Sequence, residues 1–218
     1  MRIWLILLPF LFLIVGCGLV AEQPPTVAIY ELRLPAADEE PVVPPAEPST
    51  AAAPRVEVTA PSWLRSRAMH YRLDYQDSLR RHSYLESRWV AEPAEMIARA
   101  LELELAAVSR SRGDARVETG RPAGPVLLPA PCRLRLSLDE FIQVFRDEHH
   151  NHTLLQVRAQ LLNAEGRAIG HRRFVHRQES ATPDAAGGVA AHALGLQELA
   201  AKLRAWLPTV AAGADCQP

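Results

Sequence analysis

Polar and apolar positions change rhythm several times along this chain of 218 residues, and each change marks a different kind of segment. Arg2 is the only charge before Glu22, and Ile3 to Val15 is apolar except for Pro9. A membrane-spanning helix needs about 20 apolar residues, so this run is short for a span. A basic start, a short apolar core and small residues behind it read as a secretory signal. Val27 to Leu34, VAIYELRL, mixes β-branched, aromatic and polar residues and predicts a strand closed by Pro35. Pro35 to Pro54, PAADEEPVVPPAEPSTAAAP, follows neither the helical nor the strand period and predicts an extended insert. Order resumes at Arg55 to Leu64, and Ala68 to Tyr75 alternates Met69, Tyr71 and Leu73 against His70, Arg72 and Asp74, as a strand does.

After Trp89 the period lengthens. Pro93 suits a first helical turn, where its missing N–H is no loss, and Glu92 and Glu95 complement the positive end of the helix dipole. Ile97, Leu101, Leu105 and Val108 form one stripe, predicting a helix that ends near Gly113. From Cys132 the two-residue period returns: Leu134, Leu136 and Leu138 lie inward against Arg133, Arg135 and Ser137. The phase slips at Asp139–Glu140, where a β-bulge would bring Phe141 inward. DEHHNHT reads as a turn, LLQVRAQLL as the return strand, NAEG as a second turn and RAIGHRRFVHR as a third strand of a meander. Val189, Ala193, Leu196, Ala200, Leu203 and Leu207 then step four and three residues apart, an amphipathic helix expected to stop at Pro208. The sum is a mixed sheet with helices packed on it.

Composition narrows the function classes. The net charge of −1 offers no basic footprint for nucleic acid, and the cations are arginines except for Lys202. Besides Cys17 the cysteines are Cys132 and Cys216. In an oxidising compartment they could form a bridge stapling the C-terminal tail to the sheet; two free thiols remain the alternative. Arg65, Arg67, Arg72, Arg80, Arg81 and Arg88 bracket one sheet region. They are either a solvated face, since Asp74, Asp77 and Glu86 are interspersed, or a docking surface for an acidic partner or lipid head groups.

The candidate chemistry is sparse. His149, His150 and His152 are the ligand type zinc prefers, but in a turn beside Asp147 and Glu148 they lack an enclosing scaffold, so no metal is assigned. There is no G-x-S-x-G elbow, no P-loop and no G-x-G-x-x-G, hence no expected cofactor and no catalytic residues. PDAAGG, Pro183 to Gly188, reads as a helix start in which Asp184 caps and two glycines allow close packing. Trp89 reads as the anchor of a helix entry.

Ile14-Val15-Gly16-Cys17 resembles the lipobox of bacterial lipoproteins, with Ile and Val where Leu and a small residue are preferred. That resemblance implies a signal peptide over 1–16, acylation of Cys17 and a lipidated tether over 17–26. Gly18, in place of the Asp that retains lipoproteins at the inner membrane, implies the periplasmic face of the outer membrane of a Gram-negative envelope.

YELRL after the lipobox, PSWL…AMHYRLDY, SRWVAEPAEMIARALELEL, CRLRLSLDEFIQVF and TPDAAGGVAAHALGLQELAAKLRAWL, in this order, resemble the ABC-type transport auxiliary lipoprotein component family, which includes the paraquat-inducible protein C type. The resemblance implies one α/β domain over 27–210 in three layers, carrying the insert 35–54 and followed by a tail, 211–218. Its sheet would be mixed and largely antiparallel, flanked by helices and anticodon-binding-domain-like. It implies a non-catalytic partner of an MCE-domain protein in an ABC system that moves lipids or other hydrophobic molecules between two membranes. Arg72, Arg80 and Arg81 are then the expected partner surface, and a second copy of the chain stays open as a further partner. The alternative is an envelope scaffold that binds peptidoglycan or a cell-wall synthase.

Overall fold

The computed structural model describes residues 26–34, 56–105 and 132–211. The signal and tether, the insert, the end of the first helix and the tail lie outside the described residues. Seven strands form one sheet: β1 (Ala28–Tyr30), β2 (Val56–Thr59), β3 (Ala68–Leu73), β4 (Arg81–Trp89), β5 (Arg133–Phe145), β6 (Asn151–Leu162) and β7 (Ala168–Glu179). One helix, α1, covers 93–105 of the described chain, and a second, α2, runs Ala185–Ala211. The spatial order is β1-β4-β3-β5-β6-β7. β2 pairs with the first half of β5, and β3 pairs with its end, both in parallel. The meander β5-β6-β7 and the β3/β4 pair are antiparallel, and β1 lies parallel to β4.

β5 shows how the sequence pattern becomes packing. Leu134, Leu136 and Leu138 are buried in the main core, and so is Phe141. Strict alternation would put Phe141 on the other face. The register shift between Leu138 and Glu140 absorbs the extra residue and restores the apolar side to the core. On the opposite face Ile142 and Val144 join Leu154 of β6 in a small separate cluster.

α2 packs across β6 and β7, and α1 contributes Met96, Ile97, Ala100, Leu101 and Leu105 to the same core. Arg204 of α2 and Glu104 of α1 form an ion pair. Both described helices therefore share one face of the sheet. The class is the expected single α/β domain with a mixed sheet, but the described residues form two layers rather than three. Trp89 is 2% exposed, at the end of β4 where the chain turns into α1, which fits its reading as an anchor.

Several elements differ from the sequence expectation. α2 does not stop at Pro208 but continues to Ala211. A proline near a helix end removes one hydrogen bond to the preceding turn. The turn beyond it is held by tertiary packing: Gly170 of β7 leaves room for Val210, and a Cβ there would lie 2.4 Å from its Cγ1. β1 is shorter than Val27 to Leu34, because β4 offers it only Ser87 to Trp89 as partners. β4 itself has no apolar alternation to betray it. Its pairing with β3 is irregular, with a register shift between Ala68 and His70, so its side chains do not follow a two-residue period.

Candidate interaction surface

Of the arginines singled out by sequence, Arg72, Arg81 and Arg88 lie on strands, and Arg72 and Arg81 are on the face of the sheet that carries no helix among the described residues. Arg72 and Arg81 are directly opposite on β3 and β4. Like charges so placed repel, and each has its own acid. Arg72 Nε donates to Asp74 at 2.6 Å, and Arg81 Nη2 donates to both carboxylate oxygens of Glu140 at 2.8 and 2.9 Å. Arg80 stands apart, exposed in the β3–β4 turn. Arg88 turns back and donates to the backbone carbonyls of Tyr84 and Ser87. Further along the face Arg135 pairs with Glu57 and Arg158 with Asp139. Arg158 also lies directly opposite Arg173. Burial works to raise the Asp139 carboxyl, but hydrogen bonds from Arg158 and Gln156 outweigh it and hold the group below the usual range. Of the six singled-out arginines, Arg72 and Arg81 are charge-matched within the fold, whereas Arg65, Arg67, Arg80 and Arg88 make no ion pair among the described residues; Arg80 projects from a turn.

The histidines separate. His149 and His150 are exposed in the β5–β6 turn, whereas His152 belongs to β6, not to the turn in which sequence placed it. The turn is organised by Asp147, whose carboxylate accepts the backbone N–H groups of His149 and His150 at 2.9 and 2.8 Å. These bonds, with one from the His150 ring, hold its pKa at about 2. Among the described residues no group of three or more His, Cys, Asp or Glu is placed to hold a metal. Burial lowers the pKa of His152.

The start of α2 is built as its residues suggest. Asp184 Oδ1 accepts from the N–H of Gly187 at 2.7 Å and from the Thr182 hydroxyl at 2.8 Å. The N–H bond first, then the hydroxyl, keeps this carboxyl below its ordinary pKa. A Cβ on Gly187 would lie 2.3 Å from the Thr182 carbonyl oxygen, and one on Gly188 would lie 2.2 Å from Gln143 Oε1.

Gln143 belongs to a polar chain that sequence reasoning missed. The Tyr84 hydroxyl donates to Gln143 Oε1 at 2.9 Å. Gln143 Nε2 donates to Asn151 Oδ1 at 2.5 Å and to the Asp184 carbonyl at 3.1 Å, while Asn151 Nδ2 donates to the Thr182 carbonyl at 3.4 Å. Strands β4, β5 and β6 are thereby tied to the loop before α2. The available signal was a glutamine inside the apolar run FIQVF, since a buried amide has to be matched by partners. Beside it His192 stacks on Phe141 with ring centroids 3.8 Å apart, and its Nδ1 is buried without a hydrogen bond. Burial drives its pKa down to about 3.

Outside this chain lies a groove of about 500 Å³, between β4 and the start of α2. Tyr30, Tyr71 and Tyr84 line it, with Glu86, Asp184 and Ala185 at its walls. Burial pushes the Tyr84 hydroxyl pKa upward, so it remains a neutral donor.

Of the cysteines, Cys132 is 4% exposed and disulfide-bonded. Cys17 and Cys216 lie outside the described residues. No described helix is long and apolar enough to cross a membrane.

The chain from residue 33 to 203 matches the family model of ABC-type transport auxiliary lipoprotein components. A crystal structure from Xanthomonas campestris is similar over 85% of this chain and 98% of its own, with 17% identity and a TM-score of 0.58. A second crystal structure, of an uncharacterized protein, is similar over 83% of this chain and 97% of its own, with 16% identity and a TM-score of 0.54. At these identities the two structures attest the fold alone. No curated protein matches the sequence.

Proposed function

The chain belongs to the ABC-type transport auxiliary lipoprotein component family, and from that premise we propose that it is the non-catalytic, outer-membrane-side station of an MCE-type system carrying lipids or other hydrophobic molecules between two membranes. Membership makes it an auxiliary transport component and an envelope lipoprotein; the particular system and membrane are the proposal. The observation that carries it is the family match over 33–203 behind an apolar run that ends at Gly16–Cys17. The acyl chains on Cys17 would do positional work. Each buried methylene adds about 0.8 kcal/mol, one chain alone binds marginally, and several hold the protein at the bilayer. Confinement there raises the local concentration of the domain, so a weak interface suffices to hold the end of a transport assembly.

The staple follows the same logic. An acylated Cys17 has no thiol left to pair, which leaves Cys216 as the proposed partner of Cys132.

Affinity capture of the full-length lipoprotein from detergent-solubilised envelopes is expected to retain an MCE-domain protein. Retention of peptidoglycan fragments or a cell-wall synthase, with no MCE-domain protein, would favour the scaffold reading instead. Arg80→Glu tests the arginine surface more cleanly than Arg81→Glu, because Arg81 neutralises the half-buried Glu140 and its reversal would set two acids together. Arg80→Glu is expected to weaken capture and leave stability unchanged within about 0.5 kcal/mol.

A further inference from the structure

Three large apolar side chains are exposed at the corner where β1 meets β4: Val27 and Ile29 at β1 and Leu85 on β4, with 49, 63 and 82% exposure. Contiguous exposed apolar surface rimmed by polar groups marks interaction sites. At this corner the sheet edge is only partly covered. β1 pairs with β4 only at Ser87 to Trp89, and among the described residues no strand flanks Ser83 to Glu86 on that side. The tyrosine-lined groove opens along this uncovered stretch. Its two acidic walls are not consumed by cations: Glu86 and Asp184 make no ion pair among the described residues.

We propose that this corner docks an extended segment of the transport system's protein partner, one that carries aliphatic side chains and a lysine or arginine. Leu85 would receive the aliphatic groups, and Glu86 and Asp184 the cation, beside the Tyr30 and Tyr84 rings. This rests on the transport reading above and adds to it a surface distinct from the arginine face. Side chains carry the recognition more than backbone pairing does. The Tyr84 and Ser87 carbonyls already accept the Arg88 guanidinium, and the irregular pairing of β4 spoils a regular ladder. A protein segment is favoured over a bilayer surface because the two carboxylates would face anionic head groups.

The test places a photo-crosslinking benzoylphenylalanine at Leu85 of the full-length anchored protein in cells, and in a second strain at Val175 on the far edge strand. Crosslinked peptides are mapped by mass spectrometry. The expected result is one aliphatic, Lys- or Arg-bearing segment of a transport subunit, captured from position 85 and not from 175. Glu86→Lys should lower the yield about tenfold, as loss of a central contact does, and Glu86→Asp should keep most of it. Crosslinks to phospholipid, to a second copy or to an acidic segment overturn the proposal, and so does a yield that Glu86→Lys leaves unchanged. If a transport subunit co-purifies but position 85 does not reach it, the corner is wrong and the transport reading stands. If no transport subunit co-purifies at all, both fall.

Discussion

Replacing His192 should flatten the acid side of the stability profile. His192 is enclosed between Phe141 and Trp89, at ring distances of 3.8 and 6.0 Å, and its Nδ1 has no partner. Its ordinary pKa of 6.5 applies in the unfolded chain, while burial holds it at about 3 in the fold. Between those values the unfolded chain carries a proton that the folded one refuses, so stability rises with pH across the window. It is fully present above pH 6.5 and is lost as the pH falls from 6.5 towards 3. At about 1.4 kcal/mol per unit, the whole difference is worth about 5 kcal/mol, and the part between pH 7.5 and 5 about 2 kcal/mol. His192→Phe keeps a ring on Phe141 and removes the proton, and His192→Leu removes the ring as well. Urea unfolding followed by tryptophan fluorescence at pH 7.5, 6.5, 5.5 and 5.0 gives the slopes. Above pH 5 most carboxylates are still ionised, and His70 and His152, whose pKa values burial also lowers, contribute equally to every variant. The expected result is a slope shallower by about 1.3 kcal/mol per pH unit near pH 5 in both variants, whatever their stability at pH 7.5. Parallel profiles for the original and substituted proteins would refute the reasoning.

Gly187→Ala should cost about 1–3 kcal/mol in denaturant unfolding, because the new methyl meets the Thr182 backbone rather than a movable side-chain tip. Gln143→Leu should cost about 1–3 kcal/mol, since it strands the Asn151 carbonyl oxygen and the Tyr84 hydroxyl; Gln143→Glu in the same assay should lose stability as the pH rises through its titration. Cys17→Ser should move the chain to the soluble fraction or leave its signal uncleaved; incorporation of a fatty-acid analogue into the variant would contradict acylation at this residue. Peptide mapping without reductant should recover Cys132 linked to Cys216, and a Cys216→Ser protein of unchanged stability would argue against the staple, which the chain-entropy view values at several kcal/mol.

The meander was legible because β5 and β6 each keep one apolar side and all three strands are joined by short turns. Even the bulge at Asp139 showed as a slip of phase, since a buried face tolerates no error in alternation. The cap at Asp184 was legible for a similar reason: an acid at a helix start and two small residues behind it satisfy local needs, and the structure uses them locally. The remainder depends on partners far away in sequence. β4 has no period because its neighbours, β3 and three residues of β1, impose an irregular register on it. Pro208 ends a helix in isolation, but Val210 packs on Gly170 and keeps the last turn wound. From sequence the charges of Arg72 and Arg81 are either solvated or a docking surface, and only the fold shows that Asp74 and Glu140 pair with them. The groove is not encoded in any one segment either. Tyr30, Tyr71, Tyr84 and Asp184 come from β1, β3, β4 and the loop before α2, and only the folding of the sheet against the helix brings them to one wall. Local sequence determines what each segment can form alone, because backbone preference and side-chain alternation act over a few residues. Burial, charge compensation and concavity are properties of the space between segments, so they exist only once the chain is closed.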